Sequence, residues 1–575
     1  MSRLLRAPLA LALALAGGLA AQVEGPRDQE PRSVAQLLAA GRELLDRYRP
    51  AQALPLFERA AELDGSTIET RLWVLRAWMD QGRSNDTLDA IDALARGGES
   101  GPEIAYLYGM AFARRAEGHL AAGVTDSSIQ MNFLDAKERL QRAVAAAPER
   151  FSDAFLALAE SAWFTQDLAT ARSAGEQAVA YHRDDGRAWL QLGKIALSQF
   201  KVAHDAEPWS PAAEAHWRAA HDAFLEAVTV LGRPVDDPGD QARLAEAALQ
   251  LGHARVWKRN LSRAADAYAV AVAWAPEEQD YATLRELLLP TTAAATEEGA
   301  PGAVFHRMLE EGARRFEETF GNADPRDATL RWWLGWARLE AGLPAEAETA
   351  FLDCVAEAPD YVNTWFWIAL ARLAREDRDG AAEALVTGWE LDATVLVREM
   401  QSDLERNVWK VETLIGPLRE RGDFARCAVL AELCAEAQLD EPRHWNNLGL
   451  FLRFDADRLE SLHGTDGAEP DPAELLDLRE RSLAAYERAL RLDPQNPQLL
   501  NDTAVVLHHA LGRDLERALA MYVEARTGAE RILADSPLDE EQRAFWEGVA
   551  SDAAANHAEL LAELSAALDD GEPPR

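Results

Sequence analysis

Residues 332–359, WWLGWARLEAGLPAEAETAFLDCVAEAP, decide the fold of this chain. Within this stretch Gly335, Ala347, Phe351 and Pro359 follow one another at spacings that suit two consecutive helices. Small residues let the two helices approach closely, the aromatic ring fills the space between successive pairs, and proline ends the second helix. The stretch therefore predicts one helical hairpin.

The same spaced signature recurs along most of the sequence. It is clearest where leucine precedes glycine, at Gly193, Gly252 and Gly449 as well as at Gly335. With weaker copies that keep the register, the repeats cover residues 34 to 535 as about eleven units. Such an array builds its core by stacking neighbours, so the chain length does not have to be divided into ordinary globular domains.

The order of a large residue, Leu-Gly, Ala, an aromatic residue, Ala and Pro resembles the tetratricopeptide repeat (TPR). The resemblance implies an all-α fold, an α-solenoid superhelix of about eleven TPR-like helical hairpins. It also implies that the first helix of each hairpin lines a concave surface, on which family members bind extended peptides or helices.

Three of the hairpins are predicted to be elongated. The interval between Gly335 and Ala347 is short, whereas the corresponding interval is more than twice as long in three other units. The long intervals run from Gly109 to Ala136, from Gly193 to Ala220 and from Gly449 to Ser482. The first two are longer by about four helical turns, which keeps the packing faces in register. Ser210 and Asp471, each followed by proline, are expected to cap the second helices.

The N-terminus is predicted to be a secretory signal peptide. Arg3 and Arg6 precede an apolar run from Ala7 to Ala16, and small residues follow it, as they do at a cleavage site. The run is shorter than the roughly 20 residues that span a bilayer. We therefore expect an exported protein, periplasmic or secreted, whose mature form has no transmembrane segment.

The composition shift around residues 291–302 marks the best linker candidate between two halves of the array. The predicted segments are a signal peptide at 1–21, a disordered N-terminal segment at 22–33, an N-terminal TPR array at 34–290, a linker at 291–302, a connecting helix at 303–327, a C-terminal TPR array at 328–535 and a capping helix at 539–569.

Charge and motifs argue against several classes of function. The chain has 59 Lys and Arg against 97 Asp and Glu, a formal net charge of −38, which repels nucleic-acid phosphates and anionic lipids. Cys354, Cys427 and Cys434 stand where the repeat has alanine, which favours packing over a redox or metal role. The sequence has no Gly-rich phosphate loop, no G-x-S-x-G elbow and no HExxH motif. We therefore expect a protein that is not an enzyme and holds no cofactor or metal.

Aromatic and large apolar residues mark the first candidate binding surface. By the register of the repeat, Trp332 and Trp336 in one unit and Phe366 and Leu370 in the next hold groove-lining places. Exposed aromatic rings anchor ligands because they bury a large area at a small entropic cost. The alternative is core packing, in which the tryptophans compensate for Arg331 at the usual tryptophan place.

Polar residues mark a second candidate surface in the last two units. Asn447 and Asn501 hold nearby places in their units, and Arg453 follows on the same predicted helix as Asn447. The resemblance implies that asparagine at such a place clamps the backbone of a bound peptide, since its amide both donates and accepts hydrogen bonds. A solvated helix face is the alternative.

The sequence thus predicts an exported, non-enzymatic TPR scaffold that mediates protein–protein interactions, in the cell envelope, through its concave groove and its elongated hairpins. Its partners would be proteins or peptides, and nucleic acid is not expected. The alternative is a glycan- or polysaccharide-binding module, because an aromatic groove also stacks on sugar rings.

Overall fold

A computed structural model of the protein describes residues 33–46, 49–233, 238–289, 302–321, 324–461 and 471–569. The predicted signal peptide, the segment after it up to residue 32, and residues 291–301 of the predicted linker lie outside these described residues. Within the described ranges the chain forms α-helices and short 3-10 and π-helical turns, with no β-strand. This confirms the all-α class. The helices form two compact units, unit 1 up to Arg233 and unit 2 after it.

Unit 1 consists of five consecutive helical hairpins. Their helices are α1 (Val34–Asp46) and α2 (Pro50–Leu63), α3 (Ile68–Asp80) and α4 (Ser84–Arg96), α5 (Pro102–Ala121) and α6 (Ser127–Ala146), α7 (Ala154–Phe164) and α8 (Leu168–Tyr181), and α9 (Gly186–Ala206) and α10 (Pro211–Leu231). Each first helix packs on its second helix, and each hairpin packs on the next.

Unit 2 contains six further hairpins, one irregular helix pair and a terminal helix. The hairpin helices are α11 (Pro238–Trp257) and α12 (Leu261–Trp274), α15 (Ala328–Glu340) and α16 (Pro344–Glu357), α17 (Asn363–Ala374) and α18 (Arg378–Ser402), α19 (Leu404–Glu420) and α20 (Phe424–Ala437), α21 (Pro442–Ser461) and α22 (Pro472–Leu492), and α23 (Pro497–Val505) and α24 (Leu515–Asp535). The irregular pair is α13 (Tyr281–Leu288) and α14 (Ala303–Phe320), and the terminal helix is α25 (Glu540–Asp569).

Three local features interrupt this regular pattern in unit 2. Helix α14 packs mainly along α12, rather than on α13 as the second helix of a hairpin would. Helix α18 is kinked at Asp392, whose φ of −161° and ψ of 97° are not helical, and the Asp392 side chain accepts a hydrogen bond of 2.9 Å from the Thr394 N–H. A π-helical turn, Val506–Ala510, extends α23. Such turns insert an extra residue and redirect the side chains that follow.

A close contact between glycine and an aromatic ring explains the repeat signature. A Cβ atom at Gly335 would lie 2.7 Å from the ring of Phe351 on the second helix. That distance is closer than van der Waals contact allows, so only glycine permits the two helices to meet there. The same contact recurs between Gly41 and Phe57, Gly193 and Phe224, Gly252 and Tyr268, and Gly449 and Tyr486.

The elongated hairpins are present as predicted. Helices α5 and α6 have 20 residues each, and α9 and α10 have 21 each, whereas α15 has 13 and α16 has 14. The expected caps also form. Ser210 Oγ accepts a hydrogen bond of 3.3 Å from the Ala213 N–H, and Asp471 Oδ1 accepts one of 2.9 Å from the Ala473 N–H.

The three cysteines pack in the core, as the repeat register predicts. Cys354, Cys427 and Cys434 are each at most 1% exposed, and none of them is in a disulfide. Burial raises the pKa of each thiol to about 12. A thiol with so high a pKa is a poor nucleophile and a poor metal ligand.

Helix α25 completes the stack at the end of unit 2. Ala553 and Leu560 are fully buried and join the core formed by α23 and α24. The hairpin of α23 and α24 therefore does not leave its apolar face open to solvent.

Candidate functional site

The predicted aromatic surface of unit 2 packs largely against itself. Trp332 is half-buried, and its ring centroid lies 5.1 Å from that of Trp333 and 5.6 Å from that of Trp367, both edge to face. The Arg285 guanidinium covers Trp336 at 4.7 Å from the ring centroid. These contacts occupy part of the ring faces on which a sugar would stack.

Phe366 and Leu370 do not line a surface groove, which corrects their sequence-based placement. Phe366 is 1% exposed and Leu370 is 9% exposed, and both belong to the core of unit 2. The physical reason is the position of α17, which packs against α15, α16 and α18 and so buries residues around most of its circumference. For this pair the alternative of core packing is the better description.

The predicted polar residues lie close to the terminal helix. Asn501 is 8% exposed, and its Oδ1 accepts a hydrogen bond of 3.3 Å from Asn556 Nδ2 on α25. Asn447 and Arg453, both on α21, are half-buried. The Arg453 guanidinium lies 5.3 Å from the centroid of the Phe454 ring. Helix α25 therefore occupies one hydrogen-bonding position of the Asn501 side chain.

A buried charge network in unit 1 was not predicted. The Arg76 side chain on α3 is 9% exposed and pairs with Asp80 at 2.5 Å. Arg76 Nε also donates to the Tyr106 hydroxyl on α5 at 3.2 Å, and this hydroxyl donates to Asp153 Oδ2 at 2.6 Å. Burial, and then the charge of Asp153, raise the pKa of Tyr106 well above its usual value. The network ties α3 and α5 to the residue that precedes α7.

The network continues along the first helices of unit 1. Arg114 on α5 pairs with Glu117 at 2.6 Å and lies 3.5 Å from Asp80. Glu160 on α7 lies beside Glu117, and burial together with that neighbouring carboxylate raises the pKa of Glu160 to about 8. The positive charges of Arg114 and Lys194 oppose this rise. Near neutral pH the Glu160 carboxyl therefore holds its proton.

A signal in the sequence could have found part of this network. Arg76, Glu160 and Lys194 lie on first helices, and Lys194 directly follows the glycine place of its repeat. When the weaker repeats are placed in the same register, the same place holds Arg76 and Glu160. A row of charges at one repeat position predicts contact between neighbouring first helices.

A second group of charges lies at the end of unit 2, and we call it the acidic patch. It consists of Arg453 and Asp457 on α21, Asp502 on α23, and Asp552 and Glu559 on α25. Partial loss of solvent around the carboxyl groups raises the pKa of Asp457 and of Asp502, and the charge of Arg453 opposes both shifts. The negative charge of Asp552 raises the pKa of Asp502 further. Glu559 and Arg453 both act on the Tyr522 hydroxyl, so α21, α23 and α25 bring these charges within range of one another.

The π-helical turn lies beside the acidic patch. His508 is buried, and its ring stacks on that of His509 with the centroids 3.8 Å apart. His508 Nδ1 lies 3.3 Å from the Tyr522 hydroxyl, and Nε2 lies 3.0 Å from Glu563 Oε2 on α25. The turn thus connects α23 to both α24 and α25.

No group of three or more His, Cys, Asp or Glu side chains is placed to hold a metal ion in the part of the chain that the structure describes. Within the same residues, no helix combines the length and the apolar character that crossing a membrane requires.

No protein-family model matches the sequence, and no curated protein matches it. Among solved structures, the P58(IPK) TPR domain matches 78% of this chain and 98% of its own length at 15% identity, with a TM-score of 0.18. Yeast Tom70 matches 91% of this chain and 96% of its own length at 11% identity, with a TM-score of 0.20. The matching chain of the APC/C hetero-tetramer Cut9-Hcn1 aligns with 91% of this chain and 96% of its own length at 12% identity, with a TM-score of 0.25.

These TM-scores are too low to support an argument, so the description of the fold depends on the contacts of the repeat itself. The structure forms helical hairpins at the predicted repeats, and their glycines meet the aromatic rings of the second helices as the signature requires. The described chain is therefore an all-α array of helical hairpins whose contacts match the tetratricopeptide-repeat pattern that its sequence resembles.

Proposed function

We propose that this protein is a non-enzymatic scaffold that binds segments of other proteins along the first helices of its hairpins. One observation carries the proposal. Among the described residues, thirteen buried side-chain atoms have no hydrogen-bond partner; eight lie on first helices and three on second helices. The eight belong to Arg42, Trp78, Arg115, Glu117, Gln191, Arg255, Trp332 and Asn446.

Polar groups that are buried without a hydrogen-bond partner destabilise a protein. A buried donor or acceptor without a partner costs about 1–3 kcal/mol. Native proteins keep few such groups, and those that they keep call for an explanation. A partner segment lying along the first helices would bring backbone N–H and C=O groups to the helices on which most of the unpaired groups lie.

Selection from a random peptide library tests this function. The library is displayed on phage and selected on the full chain, and each selected peptide is labelled with fluorescein and titrated by anisotropy. We expect saturable binding, and we expect the double substitution Trp332→Ala and Trp336→Ala to weaken it by about tenfold or more. A library that yields no binder would refute the proposed function.

The matched control is Phe545→Ala, which removes an aromatic ring that is 45% exposed on α25. It should leave the affinity unchanged, and circular dichroism should show equal helicity for all variants. If the peptides bind the double tryptophan variant as tightly as they bind the unaltered chain, the binding surface does not lie on α15.

We also propose that the protein is exported and acts in the cell envelope. The support is the sequence at the N-terminus, where Arg3 and Arg6 precede the apolar run. Fractionation of cells that express the full chain, followed by mass spectrometry of its N-terminus, tests this. We expect an envelope or secreted form that has lost residues 1–21, and an uncleaved cytoplasmic protein would contradict the proposal.

A further inference from the structure

We propose that the acidic patch of unit 2 binds a cationic segment of a partner protein, whose lysine or arginine side chains lie between α21, α23 and α25. This inference rests on the proposed function, because it names the chemistry of one ligand for the scaffold.

The balance of charge is the first step. Asp457, Asp552 and Glu559 are exposed and Asp502 is half-buried, so the patch holds four carboxylates against the single guanidinium of Arg453. Arg479 also approaches Asp457, but it is paired with Glu460 at 2.7 Å and adds little free positive charge. The surface therefore attracts cations.

The position of Asp502 is the second step. This carboxylate is surrounded by Asn501, Gln498, Arg453 and Asp552. Burial and the carboxylate of Asp552 make its ionised form unfavourable. A cation held between α23 and α25 would relieve both effects, because it would offset the repulsion and replace lost solvation.

An unpaired hydroxyl at the base of the patch is an independent observation. Tyr486 on α22 is fully buried, and its hydroxyl has no hydrogen-bond partner among the described residues. Asp502, Arg453 and Asp457 are the charged groups that act on this hydroxyl, which places it beneath the patch. A side chain that enters between the carboxylates brings N–H groups to it, and a tyrosine oxygen accepts such bonds.

An anionic ligand bound to Arg453 is the competing possibility, and it predicts effects of opposite sign. If a carboxylate bound there, removing Arg453 would weaken binding. If a cation binds, Arg453 is a like charge close to the ligand, and removing it strengthens binding.

Titration of the full chain with two labelled peptides tests the inference. The probes are a short fluorescein-labelled peptide of alternating lysine and alanine and a matched peptide of alternating glutamate and alanine. We expect the lysine peptide to bind. D502N/D552N should lower its affinity by about tenfold, and R453A should raise its affinity by about threefold. The glutamate peptide should not bind.

The control variant is D205N/E226Q, which removes two exposed carboxylates from α9 and α10 in unit 1 and changes the net charge equally. It should alter the affinity by less than about twofold. Equal weakening by both double variants, or glutamate-peptide binding that R453A abolishes, would overturn the inference. If D502N/D552N fails to fold, D552N alone is used, since Asp552 is exposed, and it should weaken the lysine peptide by about threefold.

The two proposals fail in different ways. Suppose that the random library yields binders but the lysine peptide binds the patch variants and the unaltered chain with equal affinity. The inference is then wrong and the scaffold function stands. If neither the library nor the lysine peptide gives saturable binding, the proposed function is wrong as well.

Discussion

The charge network of unit 1 and the acidic patch of unit 2 use the same kinds of side chain in different ways. In unit 1, Arg76 is almost enclosed and is held by Asp80, Asp153 and the Tyr106 hydroxyl. In unit 2, Arg453 stays half-buried among carboxylates of three helices. Charges on first helices can therefore join neighbouring repeats or remain available to a partner. The pairing of each charge, rather than its presence, distinguishes the two cases.

Removing the central arginine of each region should give the largest difference. Arg76→Ala leaves Asp80 and Asp153 without their buried partner, so we expect it to destabilise unit 1 by about 3 kcal/mol. Arg453→Ala should change the stability of unit 2 by less than about 1 kcal/mol. Hydrogen exchange of the α3 and α21 amides measures the change in stability of each unit. Equal losses of stability in the two units would remove the distinction between the regions.

The dependence on pH should also differ between the regions. The pKa of Glu160 is raised from 4.5 to about 8, so the folded state holds this proton more tightly than the unfolded chain does. The resulting stabilisation is complete below the unfolded pKa and is lost as the pH rises through about 8.

Glu160→Gln should remove that pH dependence from unit 1. The expected change is about 1–2 kcal/mol between pH values near 5 and near 9, with allowance for solvent screening. Urea unfolding followed by circular dichroism at several pH values measures the slope. A slope that is the same with and without Glu160 would show that this residue does not hold a proton in the folded state.

Removing the hydroxyl from Tyr106 in unit 1 and from Tyr486 in unit 2 should change stability in opposite directions. Tyr106→Phe removes a hydroxyl that bonds both Arg76 and Asp153, and we expect a loss of about 1–2 kcal/mol. Tyr486→Phe removes a hydroxyl that has no partner in the part of the chain that the structure describes, so it should be neutral or stabilise unit 2 by up to about 1 kcal/mol. Thermal unfolding of both variants checks this, and a destabilised Tyr486→Phe would reveal a bond that the patch makes internally.

The smallest effect should come from the contact between α25 and α23. Asn556→Ala removes the 3.3 Å hydrogen bond to Asn501, which should destabilise the docking of α25 by about 0.5–1 kcal/mol. Faster hydrogen exchange in α25, with exchange in α21 unchanged, would show that the patch depends on how firmly α25 is held. Unchanged exchange in α25 would count against this contribution.

The sequence predicts the fold well because the same helix contact recurs in several repeats. The spacing of Gly335 and Phe351 encodes one helix contact directly, and copies in other units support it. The candidate sites were harder to predict. Phe366 and Leu370 hold groove places by register, but α17 is packed by three neighbouring helices, and periodicity alone does not reveal that enclosure.

The charge network shows the same limit for polar residues. Arg76 and Asp153 are 77 positions apart, and no spacing rule within one repeat connects them. Their contact depends on how successive hairpins are stacked and on which side chains are long enough to cross from one helix to another. Alignment of weak repeats predicts that such residues share a face, but it does not predict which of them pair.

The burial of all three cysteines has a practical consequence for chemical labelling. Thiol-reactive probes need the thiolate, so the folded protein should leave its native sulfur atoms unmodified at neutral pH, while a cysteine engineered on the surface would be labelled selectively. Because Cys354, Cys427 and Cys434 all belong to unit 2, the rate at which they become labelled in rising denaturant would report the opening of that unit alone.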